Sequence, residues 1–88
     1  MLTSLPYDPK KLFGQHLTRT RKAKGWSQEG LALDSGLARS YLSGVERGLR
    51  NIALVNICKL AHTMQITPSE LLALPLTHTA PSAVNNGL

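Results

Sequence analysis

The run GLARSYLSGVERG, residues 36–48, gathers residue types that can address the edges of base pairs. On a helical wheel of about 100° per residue, Ala38, Leu42 and Val45 share one side, with Tyr41 at its edge. Ser40, Ser43, Gly44 and Arg47 stand opposite, and Arg39 lies on the flank. An arginine can donate two parallel hydrogen bonds to the major-groove acceptors of a guanine. A serine hydroxyl donates or accepts, and so discriminates less. Gly44 forgoes about 1 kcal/mol of helix propensity relative to alanine. That cost fits a place where a groove wall, or another stretch of backbone, comes close. The face predicts a surface that enters a negatively charged groove.

Other chemistries find little support. Cys58 and His62 are four residues apart, a spacing that can share a metal ion, but two ligands without a third or fourth make no site. A packed cysteine and a surface histidine are expected instead. His16 and His78 have no evident acid or nucleophile beside them. Ser27, Ser35, Ser40 and Ser43 lack a base and an orienting group. A phosphate-cradling glycine loop is absent. Neither an enzyme nor a bound cofactor is expected, and a separate ligand-sensing domain does not fit this length.

Charge points the same way. The 88 residues carry a formal charge of +5, which suits an anionic partner. Lys10, Lys11, Arg19, Arg21, Lys22 and Lys24 fall in one stretch without an acid, whereas no Lys or Arg follows Lys59. Aromatic residues are 5% of the chain, too few for a stacking platform for single strands. Cys58 is the only cysteine, so no internal disulfide can form and a reducing, cytoplasmic setting is expected. No apolar run is long enough for a membrane span, and the N-terminus lacks the pattern of a signal peptide.

The elements that position this face read as an all-α fold of five short helices. Residues 1–8 are expected as a flexible arm and 75–88 as a flexible, uncharged tail, with the domain at 9–74. Asp8-Pro9 opens a helix of about 9–24, with Gly25 as its stop. Ser27 caps a second helix to about Asp34, with Leu31 and Ala32 buried, and Trp26 packs the first helix on the second. Ser35-Gly36-Leu37 makes a tight turn, Gly36 supplying a left-handed residue. The third helix spans about 38–47. Leu54, Ile57, Leu60, Ala61 and Met64 mark a fourth at about 53–64, with Asn51 as its candidate cap. Thr67-Pro68-Ser69-Glu70 has the form of a capping box opening a fifth helix that Pro75 ends. Short helix, turn, short helix is also the helix-turn-helix arrangement.

RTRKAKGWSQEGLALDSGLARSYLSGVERGLRNIALVNICKLAHTMQITPSEL resembles the phage-repressor-like, or Cro-type, helix-turn-helix regulators, and among them the controller proteins. The likeness covers about residues 12–72. It implies a compact five-helix DNA-binding domain of a double-stranded-DNA transcriptional regulator. It further implies base contacts from Ala38, Arg39, Ser40, Ser43 and Gly44, and backbone contacts from Gln28, Arg47, Arg50 and Asn51. Arg21 and Glu46 match a pair that joins the first helix to the third.

One reading helix sees only a few base pairs, and symmetric dimers on two half-sites are the usual remedy. Leu71, Leu72 and Leu74, in the apolar LLALPL segment, are the candidate dimer surface. The alternative is that these leucines close the monomer core. A rival function is an antitoxin-like protein-interaction module of the same fold, using the C-terminal tail to bind another protein.

Overall fold

The computed structural model describes residues 4–76; residues 1–3 of the expected arm and 77–88 of the expected tail, His78 included, lie outside the described residues. The described chain forms five helices: α1 (Pro9–Ala23), α2 (Gln28–Ser35), α3 (Arg39–Glu46), α4 (Leu54–Met64) and α5 (Pro68–Leu71).

Local chemistry sets most of the boundaries. The Asp8 carboxylate accepts from the amides of Lys10 and Lys11, and Pro9 fills the first turn, where its missing N–H costs nothing. Ser27 accepts from the Gly30 amide at the head of α2. Gly36 ends α2 with φ 76°, a left-handed conformation that a side chain would strain. The full capping box forms at Thr67: its hydroxyl accepts from the Glu70 amide, and the Glu70 carboxylate accepts from the Thr67 amide at 2.8 Å.

Four sequence expectations are corrected. Asn51 does not cap α4; Ala53 holds that position without a side-chain bond. The fifth helix is a single turn that stops at Leu71, four residues before Pro75. Ala38 is the exposed N-cap residue of α3 and does not join Leu42 and Val45 in the core. Cys58 is exposed rather than packed.

The core is one apolar cluster. Phe13 and Leu17 of α1, Leu31 and Ala32 of α2, Leu42 and Val45 of α3, Ile57, Leu60, Ala61 and Met64 of α4, and Leu71 of α5 are all buried. Trp26, Leu37, Tyr41, Ile52, Ile66 and Leu74 pack against its rim. Burying a leucine or isoleucine side chain stabilises by about 1.5–3 kcal/mol, so each helix is held mainly by its inward stripe. Helix α3 packs on α1 and α2, and α4 packs on α2 and α5, which leaves the outer face of α3 uncovered.

Candidate nucleic-acid interface

Helices α2 and α3 meet through the turn at Gly36, Leu37 and Ala38, which joins the end of α2 to the start of α3. Ala38, Arg39 and Ser40 are exposed there, and Ser43 is half-buried one turn on. Arg47, Arg50 and Asn51 are exposed along the loop that follows α3. Six of the nine residues expected to touch DNA are therefore open to solvent on this side.

Gly44 and Gln28 differ from expectation. Gly44 is buried, and the side chain lying over it is that of Arg50. An added β-carbon at residue 44 would fall 3.0 Å from Arg50 Cγ and 3.3 Å from its Nε. The glycine therefore receives a neighbouring side chain rather than a groove wall. Gln28 is half-buried, and its Nε2 donates to Glu46 Oε1 at 2.9 Å. One hydrogen of its amide is thus engaged inside the protein.

Beneath the face lies a buried polar lock. Arg21 of α1 donates from Nε to Glu46 Oε2 at 2.6 Å and from a terminal nitrogen to Oε1 at 3.0 Å, while its other nitrogen donates to the Trp26 carbonyl at 2.9 Å. The two side chains are only 9% and 5% exposed. This forked geometry is directional as well as strong. It turns the one carboxylate of α3 inward, away from any phosphate, and Gln28 adds α2 to the same acceptor. One network thus fixes the angles among three helices.

Two further features were not singled out from the sequence. Gly14, in mid-α1, is buried against the end of α3, where an added β-carbon would clash with the Val45 carbonyl and come 2.6 Å from that of Glu46. A glycine inside a helical pattern was its only signal. Tyr41 forms the second feature: its hydroxyl accepts from Asn56 Nδ2 at 3.1 Å, and its ring lies 5.9 Å from the Arg50 guanidinium carbon. No spacing rule joins those three positions.

The residues proposed for a dimer surface separate. Leu71 is fully buried in the protomer core, which removes it from any such surface. Leu72 is 46% exposed and Leu74 is half-buried. Both line an open groove with Phe13, Ile52 and Ile57. Among the described residues, no cluster of three or more His, Cys, Asp or Glu could hold a metal ion, and no helix is long and apolar enough to cross a membrane.

Known proteins resemble this chain in sequence and fold. The control protein C.BamHI of Bacillus amyloliquefaciens is 44% identical over 62 residues, covering 69% of this chain and 76% of its own. The crystal structure of the restriction-modification controller protein C.AhdI from Aeromonas hydrophila superimposes with a TM-score of 0.71 at 58% identity, covering 74% of this chain and 98% of that one. SinR, the master regulator of biofilm formation, matches in complex with DNA with a TM-score of 0.65, 36% identity and coverage of 68% and 97%. It also matches in complex with the SinI protein, with a TM-score of 0.66, 35% identity and coverage of 69% and 60%. The helix-turn-helix family model matches residues 17–71. The chain belongs to the helix-turn-helix family of DNA-binding transcription regulators.

Proposed function

We propose that this protein is a sequence-specific regulator of the controller type that inserts α3 into the major groove of double-stranded DNA. The observation that carries this reading is the outward face of α3. Arg39 and Ser40 stand free at its leading end, while its carboxylate is folded inward onto Arg21. Arg39 would read a guanine edge, with Ala38, Ser40 and Ser43 against neighbouring bases. Arg47 and Asn51 would meet phosphates beside the groove, where they position rather than specify. Gln28, whose Nε2 gives one hydrogen bond to Glu46, would meet a phosphate from the head of α2 with the rest of its amide.

Residues 9–74 would form the DNA-binding unit, acting in the cytoplasm, with 1–8 and 75–88 as appendages. A homodimer through Leu72 and Leu74 would place two reading helices on half-sites about 10 base pairs apart or further. Selection of bound duplexes from a random library tests the whole reading. An enriched sequence with inverted symmetry is the expected result, and enrichment of nothing would remove the function.

A second reading rests on the likeness to SinR bound to SinI: residues 75–88 would capture a partner protein. A pull-down lost on removal of that segment, with DNA binding intact, would favour it.

A further inference from the structure

We propose that Gly44, Tyr41 and Asn56 form a seat that holds Arg50 along the reading face of α3, making Arg50 a reader of base edges and not a plain phosphate contact. This proposal rests on the double-stranded-DNA reading above and goes further in naming how one contact is aimed. Gly44 lies one helical turn beyond Ser40 and next to Ser43, so a side chain there would sit among them. None is present, and the stem of Arg50 occupies that place, with Cγ and Nε at 3.0 and 3.3 Å from where a β-carbon would stand. In effect the loop lends α3 the side chain that residue 44 lacks.

The guanidinium end is held by a second residue of α3. It lies 5.9 Å from the centre of the Tyr41 ring, within reach of the attraction between a cation and an aromatic face. The Tyr41 hydroxyl is in turn tied to Asn56 of α4 at 3.1 Å, which holds the ring in place. Nothing draws Arg50 elsewhere. Among the described residues it makes no salt bridge, and the nearby carboxylate of Glu46 is already engaged by Arg21 and Gln28. A free arginine on a loop loses several rotamers when it binds. One already laid along the helix loses fewer, and its planar fork keeps a defined direction. Tyr41, Gly44 and Asn56 are positioning residues, acting through Arg50.

The test is a double-mutant cycle on DNA affinity, read by fluorescence anisotropy with a duplex recovered by library selection and a scrambled duplex of equal length. Gly44→Leu fills the seat with a good helix former, and Arg50→Ala empties it. Each is expected to weaken the selected duplex about tenfold, and the double variant no more than about tenfold, because both changes remove one contact. Arg50→Lys keeps the charge but lacks the fork, and is expected to lose nearly as much on the selected duplex. Losses that multiply in the double variant would show that residue 44 itself meets the groove, and would overturn the seat. Equal loss on both duplexes with Arg50→Ala, with the salt slope reduced by about one, would return Arg50 to phosphate.

The free protein supplies a separate check. The Arg50 side-chain protons should resonate upfield under the Tyr41 ring, and Tyr41→Leu should abolish that shift. Normal positions in the unaltered protein would overturn the seat without reference to DNA. If no duplex is enriched, the DNA reading fails and Arg50 is no reader, even where the ring shift shows the seat to be formed.

Discussion

Between α1 and α3 the apolar interior also holds a polar pair, Arg21 and Glu46, which share two hydrogen bonds in a nearly dry setting. Between α4 and α5 it is apolar, with Ile57, Leu60, Ala61 and Met64 packed around Leu71. The surfaces above these interiors differ in the same sense. The α3 side exposes Arg39, Ser40, Arg47 and Arg50, whereas Leu54, Val55 and Leu72 are exposed on the α4–α5 side. Apolar contact is non-directional and fixes proximity. A forked ion pair fixes an angle as well. A helix that must present three or four side chains in register with base edges benefits from the second. A surface that joins another protomer needs mainly area, and the first suffices.

The sharpest way to break this contrast is at its polar end. Glu46→Ala leaves Arg21, buried in the unaltered fold, without its carboxylate. Removing one partner of a buried pair costs about 3–5 kcal/mol. Chemical denaturation should show a loss of that size, large for so small a domain. Replacing both partners by apolar residues, Arg21→Met with Glu46→Leu, should recover much of the stability. If orientation is what the pair supplies, the double variant should still bind DNA poorly. A stable double variant with full affinity would show that apolar packing orients α3 equally well.

Arg39→Ala leaves both interiors intact and tests the polar surface alone. It should lower affinity for a selected duplex by about 1–3 kcal/mol, relax preference at one base position, and leave the denaturation midpoint unchanged. A uniform loss across sequences would make Arg39 a phosphate contact and shift the reading to other residues of α3.

The two regions were also unequally legible in the sequence. Asp8-Pro9, Ser35-Gly36 and Thr67-Pro68-Ser69-Glu70 act within a few residues, so their types and order suffice to place a helix end. The Arg21–Glu46 pair spans two helices and entered only through a family likeness. Gly14 against α3, and Arg50 over Gly44, depend on how distant segments pack, and no local spacing encodes that. Leu71 and Leu72 illustrate the limit on a single turn. Both belong to the same apolar run, yet one step around the helix axis separates a fully buried residue from one 46% exposed. The wheel placed Ala38 among core residues because it treats an N-cap position as if it were helical. Cys58 was assigned to the core on the habits of its residue type, and its own helix turns it outward.

The apolar surface gives a smaller and more conditional effect. Leu72→Glu puts a charge at the rim of the groove lined by Phe13, Ile52, Ile57 and Leu74. The fold should lose about 1 kcal/mol, as expected for a partly buried apolar side chain. Sedimentation at micromolar concentration should then show monomers, against the dimers expected of the unaltered chain. A dimer that persists would move the contact to the other exposed apolar residues, with Leu54 and Val55 of α4 first among them.

The smallest effect belongs to the capping box of α5, which is polar, local and fully at the surface. The Glu70 carboxyl titrates below its ordinary value because its ionised form accepts from the Thr67 amide and then from the Thr67 hydroxyl, with Lys24 adding a weaker attraction. The folded value lies below the unfolded one, so the ionised form stabilises the native state. That contribution is present above the ordinary carboxylate range and is lost as pH falls through the lowered folded value. The Thr67 amide resonance should therefore titrate with a midpoint below 4.5, and Glu70→Gln should abolish the transition. The Arg39 and Ser40 amides, on the opposite organisation, should not follow it. If they did, the single turn of α5 would be coupled to the reading helix, and the two regions would no longer count as independently built.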